Sequence, residues 1–486
     1  MRGFKNIVLV LLLVCTAAAL RAEVVLPKVL GNNMVLQREK PVPIWGTAAA
    51  GEKITVKFGK QTKHTVADAS GKWEVVLDAM PASARPQTLT IKGTNTIKLE
   101  NVLVGEVWLC SGQSNMQYEM RKNSKVKKPD TSTVNSPVDE LERAHNPMIR
   151  IFLVTQKNLR KPDSLHQGWS VAEDSALRAF SATGYFFGKN LCADLKVPVG
   201  IISSAVSGSR IEPWVPVEAF NNEPYFKSNN IQVSGDPGKF YHTMIEPLAP
   251  FALRGLLWYQ GESGCFLGET ITYTYKMDAL VNSWRKLWKN EQMPFYYVQI
   301  APYYYSRAKG QVPFTEQTLP EFWEAQAAAL QIPNTGMIVT TDLNDDIKNL
   351  HPPFKWEVGR RLELIALAKT YGRKNVEYSG PVYKSMKIRQ HQIDLYFDHV
   401  DGGLVSHDGK PLDYFTIAGA DGKFVPAEAK IEGDKLVVSS PEVSSPVAVR
   451  FAWIESAQPN FYNKAGLPAV PFRTDNPLHF KSSILP

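Results

Sequence analysis

Cysteine is scarce in this chain: four among 486 residues, with no two in a Cys-x-x-Cys spacing. A disulfide framework needs dense cysteines and a structural zinc site needs paired ones, so neither is expected. Also absent is any long block of lysine and arginine. Basic residues outnumber acidic ones 55 to 47, a formal charge of +8, but the excess is spread out and its densest stretch is only 121–128. Nucleic acid is therefore not an expected partner. No apolar run reaches the ~20 residues that cross a bilayer, and there is no internal repeat or low-complexity tract. What the chain does have is 44% hydrophobic residues, enough to bury cores, and a length that fits two or three domains.

The first 22 residues carry Arg2 and Lys5, then an apolar run over 7–20, then Arg21 and Ala22. That order predicts a secretory signal peptide cleaved near Ala22, with an uncleaved anchor as the alternative. Cleavage removes Cys15 and leaves Cys110, Cys192 and Cys265, expected as mostly buried thiols with one disulfide possible. The mature chain is expected in the periplasm or outside the cell, with no stable membrane insertion.

Residues 23–103 carry short β-type runs at 42–45, 54–58, 73–77 and 89–91, separated by glycine and proline turns, which predicts an N-terminal β-sandwich. From 104 the pattern changes. Continuous apolar runs at 104–110, 149–154, 197–203, 255–259, 295–300 and 336–340 read as strands buried on both faces. Helical patterns at 181–194, 272–289, 320–331 and 353–371 lie between or after them. The fold class expected for 104–375 is therefore α/β, a parallel sheet between two helical layers. Short strands such as 392–397 and 435–438 make 376–486 a C-terminal β-region, or the completion of the first.

Four segments hold residues suited to chemistry. In Gly112-Gln113-Ser114-Asn115-Met116, a serine follows a buried strand and a glycine turn, facing the crevice where α/β folds bind ligands. The plain alternative is a capping box made by Ser114 and Gln117. In His351-Pro352-Pro353-Phe354-Lys355, the prolines suit the first turn of the following helix, which places a neutral histidine at a helix start; the alternative is a structural histidine. Ser207-Gly208-Ser209-Arg210 and Trp214 follow another strand, where Gly208 allows a backbone N–H to approach a ligand. Trp258-Tyr259-Gln260-Gly261-Glu262-Ser263 follows a further strand and offers Gln260 as a donor and Trp258 as a sugar platform, or as core.

Together and in this order, these segments resemble the sialate O-acetylesterase family of SGNH (GDSL-like) hydrolases. The resemblance extends to Asn33-Met34-Val35-Leu36-Gln37 near the start and to Asn460-Phe461-Tyr462-Asn463 near the end. It implies an SGNH-type three-layer domain with accessory β-sandwich regions, and a carbohydrate esterase that removes O-acetyl groups from sialic acids. Ser114 matches the nucleophile and His351 the base. The Ser114 N–H, Gly208 and Gln260 match the oxyanion donors, with Arg210, Trp214 and Trp258 beside the substrate. No metal or organic cofactor is implied. The pattern departs at Lys348, where an aspartate often stands three residues before the histidine. Asp342, Asp345 and Asp346 lie nearby, and Asp346 is the first to try; otherwise a Ser–His dyad remains. An acetylxylan or other polysaccharide O-acetylesterase is the alternative within esterases. Outside them stand a glycosidase built on Glu262 and a non-catalytic carbohydrate-binding protein.

Overall fold

The computed structural model describes residues 23–127, 136–155, 168–309 and 313–483; the expected signal peptide lies outside these residues. Six parallel strands form the central sheet. They are β1 (Thr96–Gly112), β2 (Ile149–Val154), β3 (Val199–Ala205), β4 (Gly255–Tyr259), β5 (Phe295–Val298) and β6 (Thr335–Ile338), ordered β6-β5-β4-β1-β3-β2. A short segment, Ser170–Val171, pairs antiparallel with β2 at the edge. The principal helices are α1 (Ser114–Gln117), α2 (Ala182–Leu195), α3 (Ile271–Leu287), α4 (Thr318–Ala328) and α5 (Lys355–Ile365).

Side chains alternate across the sheet and find apolar cover on both sides. On β4, Leu256 and Trp258 point into the core that holds Tyr273 and Met277 of α3 and Phe322 and Trp323 of α4. Leu257 and Tyr259 point the other way, into the core with Phe186 and Phe187 of α2 and Val358 and Leu362 of α5. This is the three-layer α/β/α arrangement expected from the run pattern. Helices α2 and α5 approach so closely that a Cβ at Gly359 would lie 2.7 Å from the Phe187 nitrogen, so the position demands glycine.

The N-terminal β-region is joined to this sheet by one continuous strand. The first half of β1 pairs antiparallel with Ser83–Lys92, the middle pairs parallel with Val35–Gln37, and the last part pairs with β3 and β4. The change of pattern expected at 103/104 thus falls inside a strand rather than in a linker. Beyond α5, two four-stranded antiparallel sheets and a two-stranded one, Leu404–Ser406 with Phe461–Asn463, form the C-terminal β-region. The Arg473–Glu324 ion pair, at 2.8 Å, ties that region to α4. Gln458 also donates from it to the carbonyl of Asn344, in the loop that precedes His351.

Where β1 passes between the two regions it buries Glu106 completely. Arg38 and Arg254 pair with its carboxylate at 2.5 and 2.7 Å, and Gln37 donates to it at 3.0 Å. Burial by itself would raise this carboxyl, but the hydrogen bonds and charge of Arg254, with Arg38 and Gln37, outweigh it and hold the group below its ordinary range. Replacing Glu106 with alanine leaves two guanidinium groups facing a buried gap. Urea unfolding is expected to show a loss of about 3–5 kcal/mol; a loss under about 1 kcal/mol would mean this cluster does not brace the junction.

Candidate active site

The carboxyl ends of β1, β3, β4 and β6 converge on one edge of the sheet, with β1 at the point where the strand order reverses. At the end of β1, Gly112 has φ +136°, and a Cβ there would fall 2.1 Å from the Tyr259 carbonyl oxygen. Only glycine lets β1 and β4 close this tightly. Gln113 continues the junction by donating its N–H to the same carbonyl at 3.0 Å. Ser114 then opens α1.

The capping box is not formed. The residue at the helix cap is Gln113, which makes no side-chain cap bond, and Ser114 is the first helical residue. Gln117 turns away and accepts the Ser207 N–H at 2.7 Å, tying α1 to the loop after β3. Ser114 is half-buried, and among the described residues its hydroxyl has no hydrogen-bond partner. On the β3 loop Gly208 is exposed with φ +71°, and among the described residues its N–H is unpaired.

The residue beside the serine makes the connection to His351. Asn115 is fully buried; its amide nitrogen donates to the Leu350 carbonyl at 3.1 Å and to the carboxylate of Glu262. Its amide oxygen accepts from Lys355 Nζ at 2.7 Å, and Lys355 also donates to the Pro352 carbonyl at 2.7 Å. The carbonyls on both sides of His351 are thereby tied to the segment that carries Ser114. Helix α5 begins at Lys355, so Pro352 and Pro353 precede it rather than fill its first turn. The His351 ring is half-buried and has no hydrogen-bond partner among the described residues, Ser114 included. Burial first, then the charges of Lys355 and Lys122, pull its pKa down to about 4, which keeps the ring neutral at neutral pH.

A match to the family model of carbohydrate esterases described as sialic acid-specific acetylesterases covers residues 104–364. The chain belongs to that family. It is 28% identical to the sialate O-acetylesterase of Mus musculus over 519 aligned positions, covering 91% of this chain and 92% of that protein. The Homo sapiens sialate O-acetylesterase is also 28% identical, with 91% of each chain covered. Among solved structures, a carbohydrate acetylesterase from Xanthomonas citri superposes with a TM-score of 0.81 at 33% identity, covering 93% of this chain and 100% of that one. The chain is therefore a carboxylic ester hydrolase of SGNH-type fold.

Several expected roles in this esterase need correction. Trp214 and Trp258 are fully buried, 6.0 Å apart edge to face, and Trp258 packs on Trp284. Neither offers a ring face to a sugar; both are core. Gln260 is also fully buried: Tyr273 donates to its amide oxygen at 2.9 Å, and its nitrogen is directed to the Ser209 carbonyl at 3.4 Å. It supports the Gly208 loop from beneath rather than facing the crevice. Arg210 is partly exposed and pairs with Glu212 at 2.8 Å.

The acids near Lys348 do not reach the histidine. Asp346 is exposed and accepts the Lys348 N–H at 3.0 Å, closing a local turn, and Asp345 is exposed as well. Asp342 is held by Arg361 through two bonds of 2.5 and 2.7 Å. Glu262, the residue on which a glycosidase would depend, is enclosed against Asn115 and presents nothing to a sugar. Cys110, Cys192 and Cys265 are buried free thiols, so no disulfide joins them. Among the described residues no cluster of three metal-binding side chains occurs and no helix is long and apolar enough to cross a membrane. A concavity of about 740 Å³, lined by residues from Pro216 to Ser483, holds none of the residues above. Its Ser283 and Ser483 hydroxyls are spent on the Leu280 carbonyl and on Asp278.

Asn115 and Lys355 stand inside the Gly112–Met116 and His351–Lys355 motifs, but local sequence assigns neither of them a role. A lysine opening a helix reads as solvated, and burial of its ammonium follows only from α5 packing over the β1 and β4 ends.

Proposed function

We propose that this esterase hydrolyses O-acetyl esters of sialic acids through an acetyl-enzyme on Ser114, with His351 as its base. The observation that carries the reading is the free Ser114 hydroxyl beside Asn115, whose amide bonds the backbone leading into His351. In the reaction, Oγ attacks the acetyl carbonyl carbon while His351 takes its proton. The electron pair displaced onto the carbonyl oxygen meets the N–H groups of Ser114 and Gly208; one such donor is worth about 3–4 kcal/mol in the transition state. Collapse expels the sugar oxygen, which takes the proton from His351. Water then repeats the sequence on the acetyl-enzyme and releases acetate.

No carboxylate bonds to the His351 ring among the described residues, so the pair works as a dyad. A neutral imidazole is the form that accepts a proton, and His351 holds that form well below pH 7. The basic start and apolar run of residues 1–22 support export, with the mature chain acting in the periplasm or outside the cell.

The sialic acid assignment rests on the names of the mouse and human relatives. The solved neighbour is named only a carbohydrate acetylesterase, which specifies no sugar, and an acetylated polysaccharide such as xylan is the second reading. Acetate release from O-acetylated sialic acids and from acetylated xylan separates them. The expected result is a kcat/KM at least about tenfold higher on the sialic acids, within the range a shaped pocket provides. Faster release from xylan would replace the substrate while leaving the esterase chemistry in place.

A further inference from the structure

Lys355 breaks three local rules at once. It is a cation at the first residue of a helix, where the exposed N–H groups favour anions. It is completely buried, where an ammonium loses its hydration. Among the described residues its carboxylate counterpart is Glu262, which reaches it through Asn115 rather than directly. Residues that contradict their local setting in this way concentrate at functional sites.

Its contacts point to what it does. Nζ bonds Asn115 Oδ1 and the Pro352 carbonyl, both at 2.7 Å, and lies 5.0 and 5.1 Å from the ring centroids of Tyr118 and Tyr259. Asn115 completes the clamp on the Leu350 carbonyl. We infer that Lys355 is a positioning residue for His351, fixing the backbone around the histidine to the residue next to Ser114 and so taking the orienting task that an acid performs in a Ser–His–acid triad. This rests on the serine–histidine reading above.

The charges around the His351 ring are Lys355 from α5 and Lys122 from the short helix Met120–Asn123. Glu262 from the β4 end stands behind Lys355. Asp345, Asp346 and Lys348, on the histidine's own loop, are exposed. Burial chiefly brings Lys355 down to about 7, so it is protonated in the range near 4 where His351 titrates. Its charge opposes the imidazolium, and its benefit is geometric. Two effects of opposite kind therefore follow from removing it.

The test is Lys355→Met, assayed on 4-nitrophenyl acetate from pH 3.5 to 8 beside Ser114→Ala and His351→Ala. The expected result is a plateau kcat about 100-fold below wild type, the scale of a misplaced catalytic group. The acidic limb should also move up from near pH 4 by about one pH unit or more, because one cation has left the imidazole. If the single variant does not fold, the neutral pair Lys355→Met with Glu262→Gln keeps the Asn115 contact without a lone buried charge, and the same two changes are expected. A folded variant whose plateau equals or exceeds wild type overturns the inference. So does a reduced plateau with an unmoved limb, which would assign Lys355 to packing alone. Full activity in Ser114→Ala or His351→Ala would instead overturn the serine–histidine reading.

Discussion

Alanine at position 114 is expected to abolish acetyl release, with kcat reduced on the order of 10⁴-fold or more. The hydroxyl is the atom that forms the acetyl-enzyme, and no neighbour is placed to substitute. Gln117 is occupied with the Ser207 N–H, and the Ser263 hydroxyl donates to the Gly208 carbonyl at 3.4 Å. Stability should change little, because the Ser114 hydroxyl has no partner among the described residues and does not cap α1. Comparing kcat with the urea midpoint of the two proteins makes the point. Wild-type turnover in a folded Ser114→Ala would exclude Ser114 as the nucleophile. A large drop in midpoint would show that the hydroxyl carries structure.

His351→Ala should cost about a thousandfold or more in kcat, with the fold again preserved, since its ring bonds nothing among the described residues. The informative comparison is with the acids. Asp345→Asn and Asp346→Asn are expected to lose less than about tenfold: both are exposed, and Asp346 is turned to the Lys348 N–H. Asp342→Asn weakens the grip on Arg361, itself almost fully buried, so its effect should appear in the unfolding midpoint before it appears in the rate. A thousandfold loss in folded Asp345→Asn or Asp346→Asn would show that an acid swings onto His351 during turnover, and would replace the dyad by a triad.

The strand and helix layout was legible because predominantly apolar runs of five to seven residues separated by amphipathic helices have few stable arrangements. The runs at 149–154 and 255–259 coincide with β2 and β4. The run at 104–110 is the second half of a seventeen-residue strand. Its first half alternates as a half-exposed strand does, and periodicity does not reveal that two patterns share one strand. Ser114 and His351 were legible as motif residues because a glycine turn after a buried strand and a proline pair before a helix leave local marks.

Local marks do not extend to contacts between distant segments. A tryptophan at or after the end of a strand has the same appearance whether it lines a crevice or fills a core, and only tertiary packing made Trp214 and Trp258 interior. Gln260 went the same way, drawn beneath the Gly208 loop by Tyr273. The chain order of residues decided the layers of this esterase, its buried strands and the turn that presents Ser114, because those depend on neighbours within a few positions. The tertiary structure decided which polar groups are left free and which are consumed. Asn115, Glu262 and Lys355 come from three separate segments, and their hydrogen bonds exist only once β1, β4 and α5 meet at one sheet edge.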